Sequence, residues 1–327
     1  MTLASIFGLQ DQRLSNWESG FFREVNPFGF IIFSRNIDTP EQLRRLTSEL
    51  RNTVGRDAPI LIDQEGGRVQ RMRAPHWLEW LAPLDQAVQA SDVARSFYIR
   101  SRIIAEELRS VGIDVNCTPT CDIAGPQTHP FLRNRCLGTD PNTVVANARA
   151  TADGLLDGGV LPVMKHLPGH GRGSVDSHLD LPVVNVSLDV AVDWDFAPFR
   201  SLNDLPMGMT AHIVYEACGS IPATLNPDMI HIIRNDIGFN GLLMTDDISM
   251  EALLGTVAVR TAASIAAGCD VVLHCNGDQV EMQAVADAAG ILTNAAAIRC
   301  DVAVSQRKKQ DDIDIVALRK ELKVLLA

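Results

Sequence analysis

Eight short runs, apolar along most of their length rather than at alternate positions, constrain the fold more than any other feature of this sequence. They fall at residues 4–9, 28–33, 59–63, 114–119, 161–166, 208–212, 241–246 and 270–275. A strand with one wet face alternates polar and apolar residues. A strand that is apolar throughout is covered on both faces, as in a parallel sheet wrapped by helices. Helix signals lie between the runs. Thr39-Pro40-Glu41-Gln42 supplies an N-cap, a proline at the first helical position and a capping-box glutamine, and Leu43, Leu46 and Leu50 then share one face. Asn226-Pro227 opens another helix that Gly238 closes, while Gly112 and Gly268 each end a helix just before a strand. The sequence has neither a Pro/Ser-rich linker nor a long repeat. The predicted fold is α/β, a single (β/α)8 barrel of the TIM type, with residues 1–327 forming one domain.

Composition excludes several classes of function. A net charge of −11 with no cluster of Lys and Arg offers nucleic acid or an anionic membrane little to bind. The first residues lack the basic and apolar regions of a secretory leader, and no run of about 18 apolar residues follows, so the chain is expected to act in the cytoplasm. Seven cysteines, mostly inside apolar runs, suit reduced packing thiols. Cys117 and Cys121 have no second pair to complete a zinc site. The glycine-rich signatures of dinucleotide and nucleotide-phosphate sites are absent, and neither a cofactor nor a metal is expected.

Catalytic groups of barrel enzymes project from the C-terminal ends of strands. Here six runs close on polar residues: Asp63, Asn116, Lys165-His166, His212, Asp246 and His274. Taken singly, each has an ordinary role as a helix cap or rim residue. Taken together, they are expected to converge at one barrel mouth, where so many ionisable groups are costly unless used. Asp246 shares a strand face with Leu242 and Met244, so Asp246 rather than Asp247 should face the axis, leaving Asp247 or Ser249 to cap a helix beginning near them.

Residues 165–178 carry glycines at 169, 171 and 173, which imply mobility or tight backbone geometry. The histidines at 166, 170 and 178 lie in a loop rather than on one helix face, which argues against a metal. Asp176 and His178 are two apart. That spacing permits an acid/base dyad, and it equally permits a surface loop in which the two never meet.

Three blocks carry a resemblance: Asp63-Gln64-Glu65-Gly66-Gly67-Arg68-Val69-Gln70-Arg71, the 165–178 segment, and Leu242-Leu243-Met244-Thr245-Asp246-Asp247-Ile248-Ser249. In unbroken order from about residue 28 to 276, the chain resembles bacterial β-N-acetylhexosaminidases of glycoside hydrolase family 3. The resemblance implies a retaining glycosidase that removes a non-reducing terminal N-acetyl-β-D-glucosamine from muropeptides during peptidoglycan recycling. It implies Asp246 as nucleophile and His178 as general acid/base with Asp176 as partner. Asp63, Arg71, Arg135, Lys165 and His166 become sugar-binding residues. Thr245, where Ser is also frequent, and Cys136 are minor departures. Larger members add a second domain with a Glu acid/base; no residues are left here to build one, so the loop histidine is expected to serve.

Retaining hydrolysis needs a carboxylate on one side of the anomeric carbon and a proton donor near the leaving oxygen. An imidazole can donate in the first step and accept in the second, which implies a near-neutral pH optimum. Alternatives within the family are a broad β-glucosidase or a glycoside phosphorylase. Outside it stand a Schiff-base lyase using Lys165 and a non-catalytic sugar-binding barrel.

Overall fold

The computed structural model describes residues 1–175, 180–309 and 313–327. Among them, eight parallel strands close a barrel in sequential order: β1 (Leu3–Gly8), β2 (Pro27–Ile32), β3 (Ile60–Ile62), β4 (Val115–Asn116), β5 (Leu161–Leu167), β6 (Met207–Thr210), β7 (Leu242–Asp247) and β8 (Val271–His274), with β8 pairing back to β1. Each predicted run overlaps one strand, and the fold class read from the sequence stands.

The apolar runs have the expected cause. Leu61, Val163, Leu242, Met244, Val271 and Leu273 pack together inside the barrel. Their neighbours Ile60, Ile62 and Val272 join one outer core, and Met164 and Leu243 another, between the sheet and the helices. Both faces of each strand are therefore dry. Full burial of an aliphatic side chain contributes roughly 1.5–3 kcal/mol, so this double layer is the main source of cohesion.

Helices α1 (Asn16–Val25), α2 (Pro40–Val54), α3 (Val93–Ser110), α4 (Pro141–Asp157), α5 (Ala197–Ser201), α6 (Pro227–Asn235), α7 (Val257–Ala267) and α8 (Gln279–Ala289) follow the strands in turn. Thr39 caps α2 by accepting from Gln42 N–H, and Leu43, Leu46 and Leu50 are buried beneath it. The Gln42 side chain reaches back one residue further than predicted, to the N–H of Asp38. Gly268 ends α7 in the left-handed region at φ 115°, a conformation that favours glycine.

One boundary differs. The helix after β7 does not begin near Asp247; it starts at Val257, capped by Thr256. Asp247 instead accepts from the backbone N–H and hydroxyl of Ser249, closing a turn directly after the strand. Two further helices, Asn294–Ser305 and Ile315–Leu325, follow the barrel, the latter packing on α3. Among the described residues no helix is long and apolar enough to cross a membrane.

Candidate active site

A cavity of about 210 Å³ opens at the C-terminal ends of the strands, lined by Asp63, Arg71, Arg135, Lys165, His166 and Asp246 among others. Every sugar-binding position inferred from the resemblance, and the inferred nucleophile, thus faces one space. Asp176 and His178 lie outside the described residues.

Strand alternation decides which polar strand ends reach this space. Leu273 and Cys275 line it, so His274 between them turns outward, edge-on to Phe7 and within 3.0 Å of Glu281. Val115 and Cys117 point inward, so Asn116 faces away and accepts from the N–H of Gln64 at 2.9 Å. The expected convergence of all six strand ends is corrected for these two and for His212, which does not line the cavity either. His212 is buried next to the site, its Nε2 2.9 Å from the Asp247 carbonyl oxygen, to which it donates. Burial lowers its pKa against the pull of Asp246. Lys165 and His166 both reach the cavity because the register between β5 and β6 shifts between Lys165 and Leu167.

The floor of the cavity is a charged network. Lys165 Nζ donates to Asp63 Oδ1 at 2.9 Å and stands 2.6 Å from Glu65 Oε1. Arg71 donates to the other Asp63 oxygen at 3.0 Å. Arg135 forks onto Glu65, and its NH2 lies 3.4 Å from His166 Nε2. Burial works to raise the Asp63 carboxyl, but Lys165 and Arg71 outweigh it and hold the group well below the usual range. Glu65 is held down to about 2, Arg135 and then Lys165 overcoming the cost of burial. Burial would discharge Lys165, yet Asp63 and Glu65 hold it firmly as an ammonium. An ammonium has no lone pair for a carbonyl carbon, which weighs against the Schiff-base lyase.

Asp246 is different: no Lys or Arg forms a salt bridge with it among the described residues. Its Oδ1 accepts the Asp247 N–H at 2.8 Å, and the side chain lines the cavity. Burial opposes its ionisation, but His166, His212 and that N–H prevail and lower its pKa. The result is an ionised carboxylate, oriented through one oxygen and not locked in an ion pair, as a nucleophile requires.

Three contributors escaped the sequence reading. Glu65 stood inside the first block and joins two of the predicted residues. Asp122 accepts from His166 Nδ1 at 2.7 Å and from His170 N–H at 2.6 Å. His170 lines the cavity, with burial lowering its pKa to about 4. Tight geometry accounts for Gly171, because a Cβ there would stand 2.3 Å from the Ile123 carbonyl oxygen. Trp77 and Trp80 belong to the outer core rather than the cavity. The seven cysteines are all free, and Cys275 alone among them lines the site.

A carboxylate poised beside a buried network of charged donors and acceptors, at the mouth of a (β/α)8 barrel, defines a glycosidase type of site. Residues 24–304 match the Glycosyl hydrolase family 3 N terminal domain. A β-hexosaminidase of Alkalilimnicola ehrlichii is 36% identical over 283 residues, covering 83% of this chain and 80% of that protein. The structure of NagZ from Neisseria gonorrhoeae in complex with N-trifluoroacetyl-D-glucosamine superposes with a TM-score of 0.89 at 28% identity, covering 100% of this chain and 98% of that one. A family 3 β-N-acetylglucosaminidase from Paenibacillus is similar at a TM-score of 0.87 and 25% identity; 98% of this chain is covered, and it spans 66% of that longer enzyme. The chain belongs to glycoside hydrolase family 3 and is a glycosidase.

Proposed function

We propose that this protein is a retaining β-N-acetylhexosaminidase built as one catalytic barrel domain. It releases non-reducing terminal N-acetyl-β-D-glucosamine, and its natural substrates are muropeptides recycled from peptidoglycan in the cytoplasm. The observation that carries the reading is Asp246, ionised, oriented by the Asp247 N–H and facing the cavity beside Asp63, Lys165 and Arg135. Its free oxygen attacks the anomeric carbon, forming a glycosyl-enzyme ester as the glycosidic bond to the leaving oxygen breaks. His178, assisted by Asp176, protonates that oxygen and then takes a proton from the water that cleaves the ester. The assignment of these two rests on the resemblance. The names of the similar proteins support the N-acetylglucosamine specificity.

Asp63 and Lys165 grip hydroxyls of the sugar. Hydrogen bonds that tighten as the ring flattens stabilise the transition state more than the ground state. The test is a panel of aryl β-glycosides differing at the 2-position, assayed with and without inorganic phosphate. Fast turnover of the N-acetylglucosaminide and slow turnover of the glucoside, with free sugar released in phosphate buffer, is expected. Equal rates would show a broad β-glucosidase, a sugar 1-phosphate product would show a phosphorylase, and no turnover of any glycoside would leave a binding barrel.

A further inference from the structure

Asp122 lies 1% exposed beneath the cavity, just beyond β4. Its Oδ2 is 2.7 Å from His166 Nδ1, while its Oδ1 accepts the backbone N–H of His170 at 2.6 Å and that of His166 at 3.4 Å. On the far side of the same imidazole, Arg135 NH2 stands 3.4 Å from Nε2. A guanidinium offers only donors, and an ionised carboxylate only acceptors. Burial opposes the ionisation of Asp122, but His166 and the contacts to His170 prevail and lower its pKa. The ring is therefore held from both edges, an acceptor facing Nδ1 and a donor facing Nε2.

We propose that Asp122 is a positioning residue that makes His166 Nε2 a hydrogen-bond acceptor for a sugar hydroxyl, which takes over the ring's single lone pair from the long Arg135 contact. Through the His170 N–H it also ties that acceptor to the backbone leading into the acid/base loop. A sugar hydroxyl both donates and accepts, so a subsite that selects one orientation needs both kinds of partner. Lys165, Arg71 and Arg135 supply donors, whereas Asp63 and His166 Nε2 supply acceptors. In the other tautomer the ring would turn an N–H toward the Arg135 guanidinium and meet the sugar only as a donor. His170 packs edge-on to His166, with ring centroids 5.8 Å apart, and restricts its rotation. The identity of the ligand rests on the glycosidase reading above; the tautomer does not.

The test is long-range proton–nitrogen correlation spectroscopy of ¹⁵N-labelled protein at pH 8, with the His166 signals assigned by their loss in His166→Gln. In the wild type, Nδ1 is expected to carry the proton and Nε2 none. Asp122→Asn keeps an oxygen for the His170 N–H but can turn only an amide N–H toward Nδ1. It is expected to move the proton to Nε2 and to lower kcat/KM for an aryl N-acetyl-β-glucosaminide about 10- to 100-fold, chiefly through kcat, as when a carboxylate orienting a metal-bound imidazole is removed. A proton on Nε2 in the wild type overturns the proposal, as does an Asp122→Asn protein that folds with tautomer and kinetics unchanged. If that variant does not fold, the wild-type spectrum decides alone. A wild type inactive on every glycoside would remove the hydrolase reading and leave the tautomer result standing, so the two failures are distinguishable.

Discussion

Arg135 holds Glu65 through two parallel contacts, Nε to Oε2 at 2.9 Å and NH2 to Oε1 at 2.8 Å, and the Glu65 side chain is 1% exposed. The paired geometry fixes the guanidinium in its plane, and Lys165 leans on the same carboxylate. Glu65 therefore acts as a strut, setting the positions of two groups that face the cavity without lining it itself.

Removing the strut should cost stability as well as activity. Glu65→Leu deprives Arg135 of its buried counter-charge and should destabilise the fold by about 3–5 kcal/mol, read from the urea midpoint near neutral pH. The Glu65 carboxyl, at 4.5 in its ordinary state, is held at about 2 in the folded protein. A group with a depressed folded pKa contributes stability that is complete above its unfolded pKa and is lost as pH falls through the folded value. The gap between wild type and variant should thus shrink from pH 5 to pH 2. A constant gap would contradict the assignment.

Lys165 is charged, buried and poised between two carboxylates at the cavity floor. Lys165→Ala is expected to lower kcat/KM about 10²- to 10³-fold, with kcat falling as well as KM rising, because its donor serves the transition state. Steady-state kinetics on the N-acetylglucosaminide measure this. A change confined to KM would show that it helps only to bind the substrate.

Glu107 on α3 carries a prediction of the opposite sign. Its Oε1 accepts the Leu78 N–H at 3.2 Å, its Oε2 is buried without a partner, and burial raises its pKa from 4.5 to about 7. A carboxyl whose folded pKa is raised contributes stability below its unfolded pKa and loses it as pH rises through the folded value. Glu107→Gln should therefore be more stable than wild type at pH 8 by about 1–3 kcal/mol and show little gain at pH 4. Thermal melts at the two pH values are the check, and an equal gain at both would contradict it.

Much of this molecule was legible in the sequence because strands buried on both faces cannot alternate, so the apolar runs marked the barrel. Since catalytic groups follow such strands, Asp63, Lys165 and Asp246 could be placed at its mouth. Two limits were physical. Period-two alternation sent Asn116 and His274 to the outer face, which a residue's place at the end of a run does not reveal without its exact register. Glu65 and Asp122 act through other side chains across long separations, since Glu65 meets Arg135 70 residues on and Asp122 meets His166 44 residues on. No local pattern encodes such a partnership. The turn after Asp247 misled for a related reason: an Asp that caps a turn and one that caps a helix look alike in sequence.

The central claim is that the Asp246 carboxylate forms a covalent bond to the sugar. Incubation with a slow fluorosugar substrate, followed by proteolysis and mass spectrometry, tests it directly. The predicted result is a glycosyl adduct on the peptide containing Asp246, absent from Asp246→Asn. Label on another residue, or turnover with no adduct and attack by the substrate's own acetamido group, would contradict it.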